Sequence, residues 1–208
     1  MARVLADPTL LAVPASAPWK TLQDFVDDAK KRPGEIPYGS SGPYGTLHVA
    51  MELFAASAGI KLLHIPFRGA GPALTALLSG TVQALASAPG TLKQQVDDGK
   101  MRVLANWGAE RIASFPDLPT FKELGYPQLV GTTWFSLSGP PKLPAEIVDK
   151  LNAEVARIVA LPDVQARFRR DGFIAQPMSP AAFTKFVGEE VARWKPLVEK
   201  AGLAGKGG

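Results

Sequence analysis

The 208-residue sequence contains no cysteine and only two histidines. Without cysteine the chain has no thiolate metal ligand, thiol nucleophile or disulfide bond. His48 and Glu52 have the i, i+4 spacing of one helix face, which also suits a helix-surface or capping role for His48. A zinc site needs at least three protein ligands, and no further ligand stands at an informative spacing. We therefore predict no metal ion and no cofactor.

Long apolar runs and concentrated charge are also absent. No run approaches the roughly 20 apolar residues of a membrane span, and residues 1–7 lack the apolar core of a signal peptide. The 23 basic and 19 acidic residues give a net charge of +4, and the basic residues are scattered. We predict no nucleic-acid partner. The mild positive charge suits the attraction of small anions, although solubility alone also accounts for it.

Motifs of enzymes are missing for reasons that can be named. Neither Ser40 nor Ser41 has glycine two positions before and two positions after it, so the nucleophile elbow is absent. Gly39, Gly42 and Gly45 are spaced three apart, which differs from the dinucleotide-binding pattern, and no Gly-Lys-Ser/Thr phosphate loop exists. We predict that the protein is not an enzyme.

Strand-like and helical segments alternate along most of the chain, which predicts an α/β fold with a largely parallel sheet. Strands are predicted at residues 10–13, 36–38, 62–65, 82–86, 102–105 and 134–137. Helices are predicted between them, including one capped by Thr21 and a short one with capping-box spacing at Thr120 and Glu123. Three helical patterns follow Pro144, and Pro196 is predicted to kink or end the last one.

The glycine-rich loop at residues 39–45 lies between a predicted strand and a helix predicted over residues 46–58. Backbone N–H groups and the helix dipole at such a turn favour a bound anion, and hydroxyl side chains add donors. The alternative is a tight turn whose glycines serve only the backbone. For an anion site, we predict ligand contacts from Ser40, Ser41, Gly42, Tyr44, Gly45, Thr46 and His48.

A second loop of the same kind spans residues 67–72. Arg68 in this loop either pairs with an anion or is an exposed loop cation. Ser87 follows another predicted strand, and the carboxyl ends of parallel strands share the edge where α/β folds bind ligands. Trp134 is either a core or hinge aromatic residue or a stacking surface for the ligand. We include Arg68, Ser87 and Trp134 among the predicted ligand-binding residues.

An ordered set of motifs resembles the substrate-binding proteins of tripartite tricarboxylate transporters, the TctC or Bug family. It runs through Tyr38-Gly39-Ser40-Ser41-Gly42, His48, Glu52-Leu53-Phe54, His64-Ile65-Pro66-Phe67-Arg68-Gly69, Gly80-Thr81-Val82-Gln83, Phe115-Pro116-Asp117-Leu118-Pro119 and Trp134-Phe135. Each motif alone is weak, but the ordered set is specific. The resemblance implies a periplasmic-binding-protein-like (Venus flytrap) fold that closes on a carboxylate and delivers it to membrane permease subunits.

The resemblance also implies a domain assignment. Residues 13–134 match the complete second lobe of the family, and residues 1–12 with 135–208 match part of the first lobe. The segment that holds the family's signal peptide and first-lobe loop is missing from this sequence. The resemblance implies that the full-length protein is exported to the periplasm. We expect uncovered apolar surface, self-association, and weak or no ligand binding. Phe67 replaces the family's usual tyrosine, and no acidic residue stands near Ser87, which argues against amino-acid ligands.

A ligand-sensing or enzymatic domain on the same scaffold is the main alternative to transport. A fused helix-turn-helix or a nucleophile with its base would favour it, and neither is present in the sequence. A protein with only an interaction role is the third alternative.

Overall fold

The computed structural model describes residues 2–171 and 173–200. The strands in this part are β1 (Ala2–Pro8), β2 (Leu10–Pro14), β3 (Pro37–Ser40), β4 (Leu63–Pro66), β5 (Ala84–Ser87), β6 (Met101–Asn106) and β7 (Thr132–Leu137). The helices are α1 (Leu22–Lys31), α2 (Thr46–Ala58), α3 (Ala70–Leu78), α4 (Pro89–Asp97), α5 (Ala145–Val159), α6 (Pro162–Asp171) and α7 (Pro180–Lys200). None of the helices within the described ranges combines the length and apolarity needed to cross a membrane.

The chain divides into two compact units. The larger unit contains Pro8–Thr133, and the smaller unit combines Met1–Asp7 with Trp134–Leu197. The boundary predicted between residues 12 and 13 falls inside β2, whereas the larger unit begins at Pro8. The difference arises because the whole of β2 pairs within the sheet of the larger unit. The assignment of these units to a complete and a partial lobe stays a prediction.

The larger unit is built around a five-stranded sheet with the order β4-β3-β5-β2-β6. β3 is parallel to both β4 and β5, but β2 is antiparallel to both β5 and β6. The sheet is therefore mixed, and the predicted largely parallel arrangement is wrong around β2. The apolar run of Leu10–Pro14 indicates a buried strand, but such a run carries no information on the direction of the strand.

Helices α1 and α2 cover the sheet because their apolar positions share one face. In α1, Thr21 and Asp24 form the predicted cap reciprocally, since the Asp24 N–H donates to Thr21 Oγ1 and the Thr21 N–H donates to Asp24 Oδ2. The buried Phe25 of α1 and Phe54 of α2 lie 6.3 Å apart between ring centroids. Gly59 ends α2 in the left-handed conformation at φ 64°.

Two predictions about single elements need correction, and one strand was not predicted. Thr120 and Glu123 form the reciprocal hydrogen bonds of a capping box, but residues 121–125 form a turn instead of a helix. Pro196 lies inside α7, which continues to Lys200, so it does not end the helix, and the alternative of a kink stays a prediction. Its missing N–H removes only one hydrogen bond, so the rest of the helix can form around it. β1 was not predicted, because its sequence shows neither a clear alternation nor a bounded apolar run.

In the smaller unit, β1 pairs with β7 and also with the segment before α7. The Ala6 N–H donates to the carbonyl of Ile174 over 3.1 Å, and Leu5 forms an antiparallel bridge with Ala175. The helical patterns predicted after Pro144 are confirmed as α5, α6 and α7.

Candidate functional site

One edge of the larger unit's sheet collects the ends of five strands. Because β3, β4 and β5 are parallel neighbours, their carboxyl ends lie together, with Ser40 opposite Pro66 and Gly39 opposite Leu85. The amino end of the antiparallel β2 lies at the same edge, because Leu10 pairs with both Ser87 and Asn106. We call this the ligand edge; it is where α/β sheets bind small molecules.

Helices α2, α3 and α4 all begin at the ligand edge, and none is capped by a side chain. Their N-cap residues Gly45, Gly69 and Ala88 make no side-chain cap hydrogen bond, and their first turns contain no acidic residue. By contrast α1, which follows the antiparallel β2 and so begins at the opposite edge, has a complete capping box with Asp24 in its first turn. The ligand edge therefore keeps backbone N–H donors and the positive ends of three helix dipoles available for an anion.

The loop between β3 and α2 is exposed and has an unusual backbone. Ser41, Tyr44, Gly45 and Thr46 are exposed, and Gly42 is half-buried with φ 149°, a conformation that favours glycine. Tyr44 has φ 59°, a left-handed value that is costly for a residue with a side chain. Its N–H donates to His48 Nδ1 over 2.9 Å, which helps to hold this conformation.

Ser40 lies beneath this loop and is fully buried. Its Oγ donates to the carbonyl of Gly42 over 2.9 Å and lies 2.8 Å from His64 Nε2. Ser40 therefore supports the loop from below, and its hydroxyl is already engaged inside the protein. Of the predicted contact residues in this loop, Ser41, Tyr44, Gly45 and Thr46 are the ones that face solvent.

A cluster of polar and aromatic side chains lies under the loop between β3 and α2. His48 and His64 stack with ring centroids 3.7 Å apart and an interplanar angle of 8°. The Tyr38 ring packs against His64 at 4.9 Å, and its hydroxyl donates to Glu52 Oε1 over 2.6 Å. Sequence reasoning missed His64 and Tyr38 as site residues. The only signal for them is the parallel register, which sets Tyr38 opposite His64.

The ionisation of this cluster is shifted by burial. Burial lowers the pKa of His48, and the nearby Glu52 carboxylate opposes part of that effect. Burial, together with the neighbouring His48, lowers the pKa of His64 to about 4. Burial and the hydrogen bond to Glu52 raise the pKa of Tyr38. Both histidines are therefore neutral at pH 7.

The other two predicted residues of the larger unit also lie at the ligand edge. Arg68 is exposed and has no ion-pair partner among the described residues. The side chain of Ser87 is 1% exposed, and its Oγ has no hydrogen-bond partner in the part of the chain that the structure describes. An unpaired buried hydroxyl costs about 1–3 kcal/mol, so a ligand or water that pairs with it would be stabilised there.

Thr9 and Asn106 are buried polar residues at the same edge that sequence reasoning did not single out. Asn106 is occupied by the neighbouring backbone, since its Oδ1 accepts from the Gly108 N–H and its Nδ2 donates to the Glu110 carbonyl over 3.0 Å. It shapes the edge more than it offers a contact.

Trp134 belongs to the smaller unit, where it packs edge-to-face against two phenylalanines. Its ring centroid lies 5.6 Å from that of Phe183 and 5.7 Å from that of Phe186. These contacts give it a packing role within its unit, and its proposed contact with ligand stays a prediction. No three potential metal-ligating side chains come together among the residues that the structure describes.

This architecture is that of periplasmic binding proteins, as the solved structures most similar to it show. A Rhodopseudomonas palustris protein solved with adipate matches with a TM-score of 0.90 and 31% identity, over 96% of this chain and 67% of that chain. MatC from the same organism, solved with bound malate, matches with a TM-score of 0.85 and 26% identity, over 94% and 68% of the two chains. The predicted α/β periplasmic-binding-protein fold is confirmed.

The chain belongs to the tripartite tricarboxylate transporter family receptors, the TctC family, whose pattern matches residues 1–203. Among its relatives, the UPF0065 protein in the gbd 5' region of Cupriavidus necator is 37% identical over 194 residues, which are 93% of this chain and 59% of that protein. The chain thus spans about three fifths of the length of the curated relatives it matches. The resemblance found in the sequence is confirmed, and the family is one of solute-binding proteins.

Proposed function

We propose that this chain provides the part of a solute-binding protein that holds one end of a small organic carboxylate, and that the ligand edge is the binding surface. The observation that carries the proposal is the start of α2, α3 and α4 at one edge with no side-chain cap. A carboxylate would accept hydrogen bonds from the free N–H groups and gain from the helix dipoles. Ser87 Oγ would gain a partner, and Arg68 would supply a neutralising charge.

The known ligands of the structural neighbours favour a dicarboxylate. One neighbour is solved with adipate and another with malate, and both ligands carry two carboxylates. The ligand edge offers donors and the exposed Arg68, which suits one carboxylate end of such a molecule. Phosphoryl transfer is not supported, since the loop between β3 and α2 contains no lysine.

Delivery to a membrane permease and a periplasmic location of the whole protein follow from family membership as parts of this proposal. Ligand transport would also require that the protein hold the second carboxylate group of the dicarboxylate. We therefore propose that the chain of 208 residues binds dicarboxylates weakly, because it spans about three fifths of its relatives. Delivery and location concern the whole protein and are separate from the anion chemistry of the ligand edge.

Amide NMR during titration with adipate tests the proposal. Millimolar adipate is expected to shift the amide signals of residues 41, 42, 44–46, 69–71, 87, 88, 90 and 91, while neutral adipamide shifts none of them. Arg68→Gln should weaken the effect about tenfold, because it removes the cation that pairs with the carboxylate. The matched control is Lys61→Gln, an exposed cation that precedes β4 and so lies at the opposite edge.

Two outcomes would contradict the proposal. One is the absence of shifts at these amides at any adipate concentration, and the other is an equal response to adipamide. Micromolar affinity would support the ligand edge but refute the proposed weak binding.

A further inference from the structure

The two histidines of the chain form one stacked pair under the loop between β3 and α2. They come from different elements, His48 from the first turn of α2 and His64 from β4. With ring centroids 3.7 Å apart, the pair tolerates two positive charges poorly, because like charges repel strongly in a partly buried setting. The stack is therefore compatible with neutral rings.

Hydrogen bonds define which nitrogen of each ring carries the proton. The Ser40 hydroxyl has one hydrogen, which it donates to the Gly42 carbonyl, so Ser40 Oγ accepts from His64 Nε2. His48 Nδ1 accepts from the Tyr44 N–H and carries no proton itself. The proton of His48 is then on Nε2, which lies 3.7 Å from Glu52 Oε1. Both rings are assigned as Nε2–H tautomers by this network.

We propose that the neutral His48–His64 pair positions the carboxylate-binding loop, so that protonation of the pair releases the loop and weakens ligand binding. The inference rests on the proposed function and adds the regulation of that site. A proton on His48 Nδ1 would convert the acceptor of the Tyr44 N–H into a donor. Tyr44 would lose the bond that offsets its left-handed backbone at φ 59°.

The groups around the pair act in opposite directions on its charge. Glu52 of α2 favours a charged His48, but Glu52 also accepts the hydrogen bond of Tyr38 from β3. Tyr44 of the loop and Ser40 of β3 offer the pair hydrogen bonds without charge. Burial and the mutual proximity of the rings favour the neutral pair, and the pKa of each histidine is lowered.

NMR of the imidazole nitrogens in the ligand-free chain tests the pair without reference to any ligand. We expect both rings as Nε2–H tautomers at pH 7 and both pKa values below 6.5. The amide signals of Gly42 and Tyr44 should move with the titration of the histidines. A Nδ1–H tautomer for His48, or loop amides that ignore the titration, would overturn the proposal whether or not the chain binds a carboxylate.

Matched substitutions separate the hydrogen bonds from the ring stack. In His48→Asn, the side-chain oxygen can replace Nδ1 as the acceptor of the Tyr44 N–H, whereas His48→Phe keeps an aromatic ring without an acceptor. In His64→Gln, the amide can replace Nε2–H as the donor to Ser40, whereas His64→Phe cannot. We expect the phenylalanine variants to bind adipate about tenfold more weakly than their amide counterparts at pH 7.

The pH profile distinguishes positioning from general structural damage. The adipate affinity of the unmodified chain should fall as the pH drops below 6.5 and through about 4. Part of this fall comes from protonation of adipate itself, and the double variant His48→Asn, His64→Gln should show only that part. An unchanged profile in the double variant would overturn the proposal. If the unmodified chain binds no adipate, the proposed function fails, and the tautomers and loop amides still decide on the positioning pair.

Discussion

Asp7 is a buried carboxylate of the smaller unit, and only one of its two side-chain oxygens has a hydrogen-bond partner among the described residues. Its side chain is fully buried, one oxygen accepts from the Ile174 N–H over 2.8 Å, and the other has no partner in the described part of the chain. Burial raises its pKa to about 6, against the effect of the hydrogen bond from Ile174. The folded state therefore disfavours ionised Asp7.

The raised pKa of Asp7 determines the direction in which the free energy of unfolding changes with pH. Because the folded pKa of Asp7 lies above its unfolded value, its contribution is greatest below about pH 4 and is lost as the pH rises through about 6. Asp7→Asn keeps an acceptor for Ile174 and removes the charge, so it should raise the free energy of unfolding at pH 8 by about 1–2 kcal/mol. Urea unfolding from pH 4 to pH 8 measures this.

Asp149→Asn is the matched control for Asp7, because Asp149 is exposed on α5 of the same unit. It should change stability by less than about 0.5 kcal/mol at either pH. Equal effects of the two substitutions, or an Asp7→Asn effect that grows as the pH falls, would show that the Asp7 carboxylate is not held in this way.

Residue-scale prediction from the sequence was partial for a physical reason. The proposed anion-binding character of the loop rests on local spacing, so the sequence could indicate Ser41, Gly45 and Thr46 as candidate contacts. The engagement of Ser40 depends on His64, which is distant in sequence and adjacent only through the pairing of β3 with β4. Such a contact leaves no periodic signal in the sequence.

At the scale of elements, the start of α2 has no side-chain cap, so the proposed anion binding there would come at some cost in helix stability. Gly45 has the extended backbone of an ordinary N-cap residue, and a Cβ there would meet nothing within 4 Å. Gly45→Asp should therefore supply a side-chain cap and raise the free energy of unfolding by about 0.5 kcal/mol. The same carboxylate would occupy the N–H donors and repel adipate, so binding should fall at least about tenfold.

Gly45→Ser separates these two effects, since it caps the helix without adding charge. Its stability gain should resemble that of Gly45→Asp, and its loss of adipate binding should be smaller. Thermal unfolding and the NMR titration give the two readouts. A Gly45→Asp variant that binds adipate as well as the unmodified chain would contradict the role of the α2 start.

The sequence predicted most helices and strands but not how the strands combine. The pattern for α2 includes an apolar face and a glycine stop at Gly59, which is why its bounds agree with the prediction. The direction of β2 depends on β5 and β6, to which it is antiparallel. β1 is recognisable only from its pairing with β7 and residues 174–176, which are remote in sequence.

At the scale of the whole molecule, the smaller unit exposes apolar side chains that a globular surface seldom groups together. On α5, Ile147, Leu151 and Ile158 fall on one face and are 41–45% exposed. On β7, Phe135 is 51% exposed and Leu137 is 42% exposed. Exposed apolar groups of this kind favour association between copies.

We therefore expect the chain to self-associate at high micromolar concentration in sedimentation velocity measurements. Replacing Ile147, Leu151 and Ile158 together by glutamine should shift it towards the monomer. Leu78→Gln is the control, because Leu78 is 46% exposed on the larger unit and belongs to neither element. A monomer at every concentration, or an equal effect of the control, would contradict this expectation.

The position of β2 between β5 and β6 also has a consequence for biosynthesis. Leu10–Pro14 is synthesised well before its two partner strands, which end at Ser87 and Asn106. During translation this apolar segment therefore has no partner strand until most of the larger unit has emerged from the ribosome. A chaperone that binds short, extended apolar segments would be expected to bind Leu10–Pro14 in the nascent chain.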